Sequence, residues 1–438
     1  ISIETLFNAF ESNQSNEFDL KCLTFITKKN LILDLRNSSI TSILIDYESG
    51  NNNYNNSDQS LMRIQTDQLG SIVFRSIDQV DVIYLSLNSI QFLKCTNYLK
   101  ERALGSKLKK IDLKYNKLTR FMRNETCFRN DLFSNIKDLD LDNNEIESIE
   151  DFSFLGLEKV LHLYLNNNKL TKITNNTFYG LFYLTNLEIQ NNFIVSIDSH
   201  AFSDSSLVNL NLNDNFLESF QYFNFYDMSS LSIHLKSNSI EKLESIRISN
   251  KIFSHLLFLS SNRKQRLTRS ALKYLSGIYV LELASNEINF IENESFLKFK
   301  RLTSLDLSNN SIKNVSERTF VGPANLGILK LDYIQIEFIH EDAFATLKNL
   351  NKISLAKNNL KNLPTSMMNL FLNDLRIVNI RSNPIEIVRK DLIKINNIPN
   401  KLDFKISFLK INEGDLLKID FCYLDTLNWL FLKQSFLR

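Results

Sequence analysis

The sequence has very little glycine and proline, with nine glycines and four prolines in 438 residues. Together they make up about 3% of the chain, where average proteins carry near 12%. This scarcity excludes collagen-like, glycine-linker and proline-rich disordered chains. It also excludes the glycine-rich loops that cradle phosphates, because neither G-x-x-x-x-G-K nor G-x-G-x-x-G occurs. Other residues must therefore make the turns.

The chain also lacks an excess of either charge and lacks long apolar runs. Its 51 Lys and Arg balance 49 Asp and Glu to a net charge of +2, which argues against general binding of nucleic acid or anionic membranes. No apolar run reaches the length of about 18 residues that a membrane-spanning helix needs. The opening ISIETLFNAF has neither Met nor a signal-peptide pattern, and we expect a processed or excised segment.

Catalytic motifs are absent as well. The sequence contains no nucleophile elbow, no H-E-x-x-H and no kinase-type string, and its four cysteines do not have the spacing of a metal site. We therefore expect a protein that is not an enzyme and that carries no metal and no cofactor.

A repeat of about 24 residues is the main feature that is present. The pattern L-x-x-L-x-L-x-x-N-x-L occurs thirteen times between Val80 and Ile385, with ninth positions 28, 28 and then 23 to 25 residues apart. A degenerate copy at Leu33, Leu35 and Ile40 precedes them, and an Asn-rich loop near 48–60 interrupts the space between. Such a period is the signature of a repeat architecture.

The repeat pattern predicts the fold. Apolar residues at positions four and six indicate a short strand with one buried face, and one strand per repeat makes a parallel sheet. The ninth-position asparagine is expected to form a hydrogen-bonded ladder and to make the turn that glycine makes elsewhere. At position nineteen a second apolar column is expected, formed by Phe154, Phe178, Phe202, Phe225, Phe296, Phe320 and Phe344. The exception at position nine is Ile334, which is either tolerated or causes a local bend.

The repeat unit resembles the typical extracellular leucine-rich repeat, and residues 168–181, NKLTKITNNTFYGL, match it closely. The resemblance covers about residues 31–395, or 14 to 15 repeats. It implies an α/β solenoid, a horseshoe with a parallel β-sheet on the concave face and irregular or short helical convex segments. Toll-like receptor ectodomains, Slit-type and chaoptin-like adhesion proteins and secreted immune factors carry this repeat, so an extracellular or cell-surface location is implied.

The two ends of the chain are expected to cap the repeat array. Residues 1–30 form the predicted N-terminal cap region. Residues 396–438 contain CYLDTLNWL, from Cys422 to Leu430, which resembles the core of the C-terminal cap of extracellular members. The other cap cysteines are missing, and we expect this region to be a degenerate or truncated cap.

The cysteines and sequons yield candidate modifications. Cys95 and Cys127 lie in the two longest repeats, and a disulfide between them is predicted, with two free buried thiols as the alternative. No partner is assigned to Cys22 or Cys422. N-glycosylation sequons occur at Asn13, Asn37, Asn55, Asn124, Asn175, Asn293, Asn309 and Asn314. Among 55 asparagines this number is near chance, so the sequons are candidates and not evidence for secretion.

The exposed strand face carries an acidic neighbourhood with interleaved tyrosines. Its members are predicted to bind a ligand and comprise Asp112, Asp138, Asp140, Asp142, Glu188, Tyr115 and Tyr164. Carboxylates beside aromatic rings suit recognition of a basic, partly apolar protein surface. The alternative is an ordinary solvated sheet face, which requires polar residues in any case.

Two further surfaces are candidates. His234, His255, Leu256 and Phe258 form a predicted apolar contact patch, unless the weak repeat there shifts the register and turns Phe258 inward. A basic run is predicted to bind sulfated glycans or phospholipid headgroups or to be a solvated flank, and comprises Arg263, Lys264, Arg266, Arg269 and Lys273.

The leading functional prediction is a receptor or cell-adhesion ectodomain that binds a protein ligand or co-receptor through its concave face. The alternatives are a structural or matrix scaffold that assembles through homotypic contacts, including a homodimer, and a secreted innate-immune recognition factor. A glycan or lipid ligand is compatible with each. The scaffold itself does not choose among them, because one fold serves many partners.

Overall fold

In the computed structural model, side chains are described for residues 81–91, 107–122, 133–219, 230–244, 246, 255–364, 366–367, 370 and 375–384. The backbone is described in addition for the strands and the helix given below. The chain divides into two compact units, Ile1–Phe216 and Leu217–Arg438.

Short strands dominate both units. The described strands of the first unit are β1 (Glu17–Asp19), β2 (Ile32–Asp34), β3 (Ser42–Ile45), β4 (Arg63–Thr66), β5 (Ser71–Arg75), β6 (Val82–Tyr84), β7 (Leu93–Cys95), β8 (Lys110–Asp112), β9 (Arg120–Phe121), β10 (Asp138–Asp140), β11 (Ser148–Ile149), β12 (His162–Tyr164), β13 (Lys172–Ile173), β14 (Asn186–Glu188), β15 (Ser196–Ile197) and β16 (Asn209–Asn211). Those of the second unit are β17 (Phe223–Phe225), β18 (Ser232–His234), β19 (Ile246–Ile248), β20 (His255–Phe258), β21 (Arg266–Leu267), β22 (Ile278–Glu282), β23 (Phe290–Ile291), β24 (Ser304–Asp306), β25 (Asn314–Val315), β26 (Ile328–Lys330), β27 (Phe338–Ile339), β28 (Lys352–Ser354), β29 (Ile377–Asn379) and β30 (Asp403–Lys405), with one short helix, α1 (Ser366–Phe371).

A parallel sheet with one strand per repeat runs through each unit. In the first unit its order is β2-β6-β8-β10-β12-β14-β16, and in the second β18-β20-β22-β24-β26-β28-β29-β30. Equivalent positions pair, so that Leu139 lies between Ile111 and Leu163. The predicted solenoid with a stacked parallel sheet is confirmed.

Further strand pairs surround this sheet. Two-residue strands on the returning flank pair in parallel as β9 with β11, β13 with β15, β21 with β23 and β25 with β27, and the three-residue strands β17 and β19 pair in the same way. The first unit also contains a five-stranded sheet in the order β1-β4-β5-β3-β7, in which β4 pairs antiparallel with both neighbours. The repeat pattern did not predict this mixed sheet.

The core of each unit is made of two apolar columns. Strand residues such as Leu163 and Leu165 are fully buried. The position-nineteen phenylalanines stack on one another, with ring centroids 6.1 Å apart for Phe154 and Phe178 and 6.0 Å for Phe320 and Phe344. Contacts at such distances contribute beyond simple burial. The predicted aromatic column is confirmed for the described rings, and the side chain of Phe225 lies outside them.

The asparagine ladder is confirmed. Asn168 donates from Nδ2 to the carbonyl oxygens of Leu141 at 3.0 Å and Leu165 at 3.1 Å, and its Oδ1 accepts from the amide of Ile146 at 3.0 Å. One side chain thus joins its own repeat to the preceding one. Because the groups that it satisfies are buried, the ladder removes the cost of unpaired backbone polar atoms.

The left-handed backbone conformation of the turn falls on the eighth residue of the repeat. Every described eighth-position residue has a positive φ between 54° and 61°, namely Leu87, Tyr115, Asn143, Asn167, Asn191, Asp214, Ser237, Ser261, Ser285, Asn309, Tyr333, Lys357 and Ser382. The ninth asparagine thus makes the turn with its side chain, as expected, while the residue before it takes the left-handed conformation. The asparagine holds the turn through its hydrogen bonds, and a non-glycine residue tolerates the left-handed region before it.

Ile334 is accommodated without a shift of the sheet. Its side chain is buried, and β26 stays in register with both β24 and β28. Asn358 of the next repeat accepts hydrogen bonds from the amides of both Ile334, at 3.1 Å, and Ile336, at 3.0 Å. The apolar residue is thus tolerated, and the local bend is not observed in the register.

Replacing Asn168 by Ala should lower the free energy of unfolding by about 1–3 kcal/mol, because several buried backbone groups lose their partner. The neighbouring Lys169→Ala is the control, since the Lys169 side chain makes only an exposed ion pair with Glu145 at 2.8 Å and its loss should leave stability nearly unchanged. Urea denaturation of both variants measures the difference. Equal effects of the two substitutions would contradict the ladder.

Two glycines of one segment provide a second test. Gly322 has φ +127°, and a Cβ there would lie 2.1 Å from the carbonyl oxygen of Phe296. Gly322→Ala should therefore cost at least about 1–3 kcal/mol of stability. At Gly327 a Cβ would meet only the Thr303 oxygen at 3.6 Å, so Gly327→Ala should be neutral or stabilise by up to about 1 kcal/mol. Thermal unfolding that ranks the two variants in the opposite order would refute this account.

Candidate functional site

The predicted acidic neighbourhood is assembled by the sheet of the first unit. Strand pairing sets Asp140 between Asp112 and Tyr164, and Tyr164 next to Glu188. Neighbouring strands lie about 4.8 Å apart, so these side chains form one row across four repeats. We call this row, together with Asp138, Asp142 and Tyr115, the acidic strand face.

Three carboxylates of the acidic strand face come from a single strand segment. Asp138, Asp140 and Asp142 alternate with Leu139 and Leu141, which are fully buried. Because successive strand side chains point to opposite faces, all three carboxylates lie on the exposed side. Asp142 accepts a hydrogen bond from the backbone amide of Asn166 at 2.6 Å, and Asp140 accepts one from the amide of Asp142 at 3.1 Å.

Burial, and after it the neighbouring charges, changes the titration of Asp140, Asp142 and Tyr164. Burial, followed by the charges of Asp140 and Glu188, raises the pKa of Asp142 to about 6. The pKa of Asp140 is also raised, chiefly by burial and then by Asp112. Burial and the nearby carboxylates raise the pKa of Tyr164. The face thus holds negative charge at neutral pH under mutual repulsion, which a cationic ligand would relieve.

Two of the predicted acids are held by intramolecular partners. Asp112 is only 2% exposed, and its carboxylate accepts hydrogen bonds from Ser86 Oγ at 3.3 Å and from the Lys114 amide at 3.2 Å. Glu188 accepts from the side-chain amides of Asn209 at 2.8 Å and Asn211 at 2.7 Å. The Asp112 carboxylate is therefore covered by its neighbours, while the Glu188 carboxylate is held in one orientation at the downstream end of the face.

Sequence reasoning missed the asparagines that orient the carboxylates. Asn166 donates to Asp142 from its backbone at 2.6 Å and from Nδ2 at 3.3 Å. Asn209 and Asn211 donate to Glu188 from their side-chain amides. The signal was present, because each pair occupies strand-face positions in consecutive repeats, where side chains become neighbours across the sheet.

Tyr115 lies at the edge of the acidic strand face. It is an eighth-position residue with φ 56° and is 49% exposed. Lys114, just before it, lies 3.7 Å from Asp112 and 3.8 Å from Asp140. Lys110 faces the ring of Tyr84 at 5.9 Å. Lys110 and Lys114 thus lie at the upstream end of the face, next to Asp112.

In the second unit, His234 and Phe258 form a partly exposed pair. Their rings stack with centroids 4.5 Å apart, and Ser232 Oγ lies 2.8 Å from His234 Nε2. The strand register pairs His234 with Phe258 and Phe258 with Glu282. Phe258 is not buried, so the alternative of an inward turn is wrong.

His255 is a correction to the predicted patch. The irregularity lies between His255 and Leu256, where the pairing of β20 with β22 shifts by one residue. His255 is fully buried there, and neither of its ring nitrogens has a hydrogen-bond partner among the described residues. Burial, followed by the charge of Arg301, lowers the pKa of His255.

The basic run does not form a free cationic surface. Lys264 occupies an apolar repeat position and is buried, with Nζ donating to the Glu241 carbonyl oxygen at 2.8 Å. Arg269 lies 3.3 Å from Glu292 and 3.7 Å from Glu294, and Arg266 stacks on the ring of Phe290 at 4.1 Å. These contacts match the predicted flank better than an anion-binding site.

The candidate modification sites are only partly described. Among the sequons, Asn175, Asn293, Asn309 and Asn314 are exposed, whereas Asn13, Asn37, Asn55 and Asn124 fall in stretches that the structure leaves undescribed. Cys95 ends strand β7, but its side chain and all of Cys127, Cys22 and Cys422 also fall there. The disulfide between Cys95 and Cys127 stays a prediction.

The described part of the chain contains neither a cluster of metal-binding side chains nor a membrane-spanning helix. Its histidine, cysteine and acidic residues contain no group of three or more that is arranged to hold a metal ion. Its single helix lacks the length and apolar composition that are needed to cross a bilayer.

Comparison with known proteins shows the leucine rich repeat family pattern at residues 134–185 and, in overlapping matches, at 255–312, 276–336 and 300–360. No curated protein matched. Among solved structures, the glycosylated Toll–Spatzle complex of Drosophila contains a chain with 18% identity and a TM-score of 0.59, over 75% of this chain and 45% of that chain. A second structure of that complex has 20% identity and a TM-score of 0.55, over 73% and 44%. The present chain therefore spans less than half of the length of these two chains, and the likeness shows a shared fold.

The buried His255 predicts a specific pH dependence. Because its folded pKa lies below its ordinary value, the unfolded chain binds a proton below about pH 6.5 that the folded chain does not, and stability falls as the pH drops. His255→Leu should therefore remove a loss in the free energy of unfolding of up to about 1.4 kcal/mol for each pH unit. It also removes two ring nitrogens that are buried without a partner among the described residues.

Urea denaturation at pH 7.5 and pH 5.5 measures this effect as the change in the stability difference between variant and wild type. The buried Leu257 of the same strand is the control, since Leu257→Val changes no titratable group and should keep the same difference from wild type at both pH values. A His255→Leu variant that keeps a constant difference would show that His255 does not titrate as argued.

Proposed function

We propose that this leucine-rich-repeat protein works outside the cell or at its surface as a receptor or cell-adhesion ectodomain. It binds a basic protein ligand through the acidic strand face of its first unit. The fold is an interaction scaffold and not an enzyme fold. The observation that carries the proposal is the line of three outward carboxylates at Asp138, Asp140 and Asp142, next to the exposed side of Tyr164.

The charge balance of this face favours a cationic ligand. Two cations lie near it: Lys114 bridges Asp112 and Asp140 at 3.7 Å and 3.8 Å, and Lys110 is paired with Asp138 in the strand register. Asp138 accepts no hydrogen bond from any described residue, and Asp142 is held by backbone and side-chain amides without a counter-ion among them. Lysine or arginine side chains of a partner would complete these carboxylates with charge-assisted hydrogen bonds.

The tyrosines supply the apolar part of the contact. Tyr164 is half-buried between Asp140 and Glu188, and Tyr115 is about half exposed at the edge. Rigid aromatic side chains are frequent binding hot spots because they bury large areas at low entropic cost. The ligand is therefore expected to present basic side chains around an apolar surface.

Location outside the cell is part of the same proposal. The repeat is of the type that the extracellular family carries, and the solved complex that shares its fold is described as a molecular hub in Drosophila development and innate immunity. A Cys95–Cys127 disulfide and N-linked glycans would be consistent with that environment. A homodimer, a matrix scaffold and a glycan or lipid ligand have no comparable support in the described contacts.

The experiment compares three neutral substitutions on the face with three on the flank of the same repeat. The face variant is Asp138→Asn with Asp140→Asn and Asp142→Asn, and asparagine can keep accepting the same backbone hydrogen bonds. The control variant is Glu145→Gln with Glu147→Gln and Glu150→Gln, which changes the net charge equally. Each form is used to capture partners from the extracellular protein fraction of the source tissue.

We expect the face variant to lose its partner by at least about 10-fold in affinity, since one or more charge-assisted bonds are worth about 1.5–3 kcal/mol each. The flank variant should retain its partner within about twofold, because exposed charges contribute little. Surface plasmon resonance on the captured protein provides both constants. Equal losses in the two variants would indicate a general charge effect and would refute recognition by this face.

Acid pH should weaken the same interaction. As the pH falls from 7.5 to 5.5, Asp142, with its pKa of about 6, takes up a proton and loses the charge that attracts a cation. Asp142→Asn alone should bind more weakly at pH 7.5 and show a flatter pH profile. An unchanged pH profile in that variant would exclude Asp142 from the contact.

A further inference from the structure

We propose that Asn314 carries an N-linked glycan whose first sugar packs on the exposed ring of Phe338. The site lies on the returning flank of the second unit, away from the acidic strand face in sequence and in repeat position. The inference rests on the proposed extracellular location, because sugar transfer to asparagine takes place in the secretory pathway.

Strand pairing makes the two residues direct neighbours. In β25 and β27, Asn314 is paired with Phe338, and Val315 with Ile339. Val315 is 1% exposed and Ile339 is 6% exposed. Because strand side chains alternate, Asn314 and Phe338 project together on the opposite, solvent side, with their strands about 4.8 Å apart.

The ring of Phe338 is uncovered, whereas a comparable ring is not. Phe338 is 55% exposed, and no ring or cation of the described residues lies on it. Phe290 occupies the same repeat position two repeats earlier, and there the guanidinium of Arg266 covers the ring at 4.1 Å. Packing an exposed apolar ring against a neighbouring apolar surface is favourable, because it removes both surfaces from water.

Asn314 is also the one described sequon asparagine whose side chain is free. It stands in Asn314-Val315-Ser316, and its amide makes no hydrogen bond to any described residue. The other three are engaged: Asn309 donates to Ser285 Oγ at 2.9 Å, and Asn175 accepts from the His200 amide at 2.9 Å. The third, Asn293, accepts from Ser316 Oγ.

The modification fits both observations. In this transfer the bond between C1 of N-acetylglucosamine and the lipid pyrophosphate breaks, one N–H bond of Nδ2 breaks, and a bond from Nδ2 to C1 forms. The lipid pyrophosphate leaves with the proton. At Asn314 this exchange breaks no hydrogen bond of the folded chain. The C–H face of the pyranose ring then lies within reach of Phe338 and removes apolar surface of both groups from water.

The test is a cycle of four forms of the full chain, secreted from insect cells behind an added signal peptide. The forms are wild type, Asn314→Gln, Phe338→Thr and the double variant. Glycopeptide mass spectrometry measures occupancy at Asn314, and thermal unfolding measures the contribution of the glycan. Asn175→Gln, made both in the wild-type chain and in the Phe338→Thr variant, is the matched control, because Asp151 and Ser199 take the equivalent places in its neighbouring repeats.

We expect Asn314 to be occupied in most molecules, and Asn314→Gln to lower the unfolding temperature by about 1–2 °C in wild type. This drop should shrink to less than half in the Phe338→Thr background, while the effect of Asn175→Gln stays the same in both. An unoccupied Asn314, or an equal drop with and without Phe338, would overturn the proposal.

The host supplies the glycosyl transfer, so failure of the proposed function is distinguishable. Loss of ligand binding with an occupied Asn314 counts against the acidic strand face alone. An intracellular location of the natural protein combined with occupancy in the secreted form counts against the proposed location, while the packing of the sugar on Phe338 would stand.

Discussion

The structure depends on one buried interaction, the hydrogen bonds of the ninth-position asparagine. A solenoid turn leaves backbone groups inside the core, and such groups are costly unless they are paired. Asn168 pairs three of them across two repeats. Where the asparagine is missing, at Ile334, the next asparagine serves two amides through one oxygen. Asparagine thus ties a repeat to its neighbour through hydrogen bonds that an apolar side chain cannot make, and the next asparagine takes over part of them at Ile334.

This constraint also explains the scarcity of glycine. The left-handed conformation falls on the residue before the asparagine, and residues as different as Tyr115 and Lys357 adopt it. Glycine is used where a side chain has no room, as at Gly322, whose Cβ would clash with the carbonyl of Phe296. Because the asparagine holds the turns, side chains on the exposed strand face do not have to do so and are available for binding.

The same stacking converts scattered residues into a surface. Asp140, Tyr164 and Glu188 are 24 residues apart in sequence and become neighbours because equivalent positions pair. Their proximity contributes, after burial, to the pKa of about 6 at Asp142. A face with this property favours basic ligands at neutral pH, and its tyrosines favour ligands that also bury apolar surface. The second unit also carries paired carboxylates on its strand face, Glu282 and Asp306, but there Lys330 donates to Asp306 at 3.0 Å, and the stacked pair of His234 and Phe258 lies beside Glu282.

The solenoid, the parallel sheet, the asparagine ladder and the acidic row could be predicted from the amino-acid sequence, because each follows from a period that is local and repeated. Contacts with neighbours that follow no period became visible in the folded chain alone. The one-residue shift beside Leu256 buries His255, Ser86 and Lys114 cover Asp112, and glutamates neutralise Arg269. The mixed sheet in the order β1-β4-β5-β3-β7 could not be predicted either, because it pairs strands outside the repeat register. Periodicity specifies which face a side chain takes, and packing specifies what it meets there.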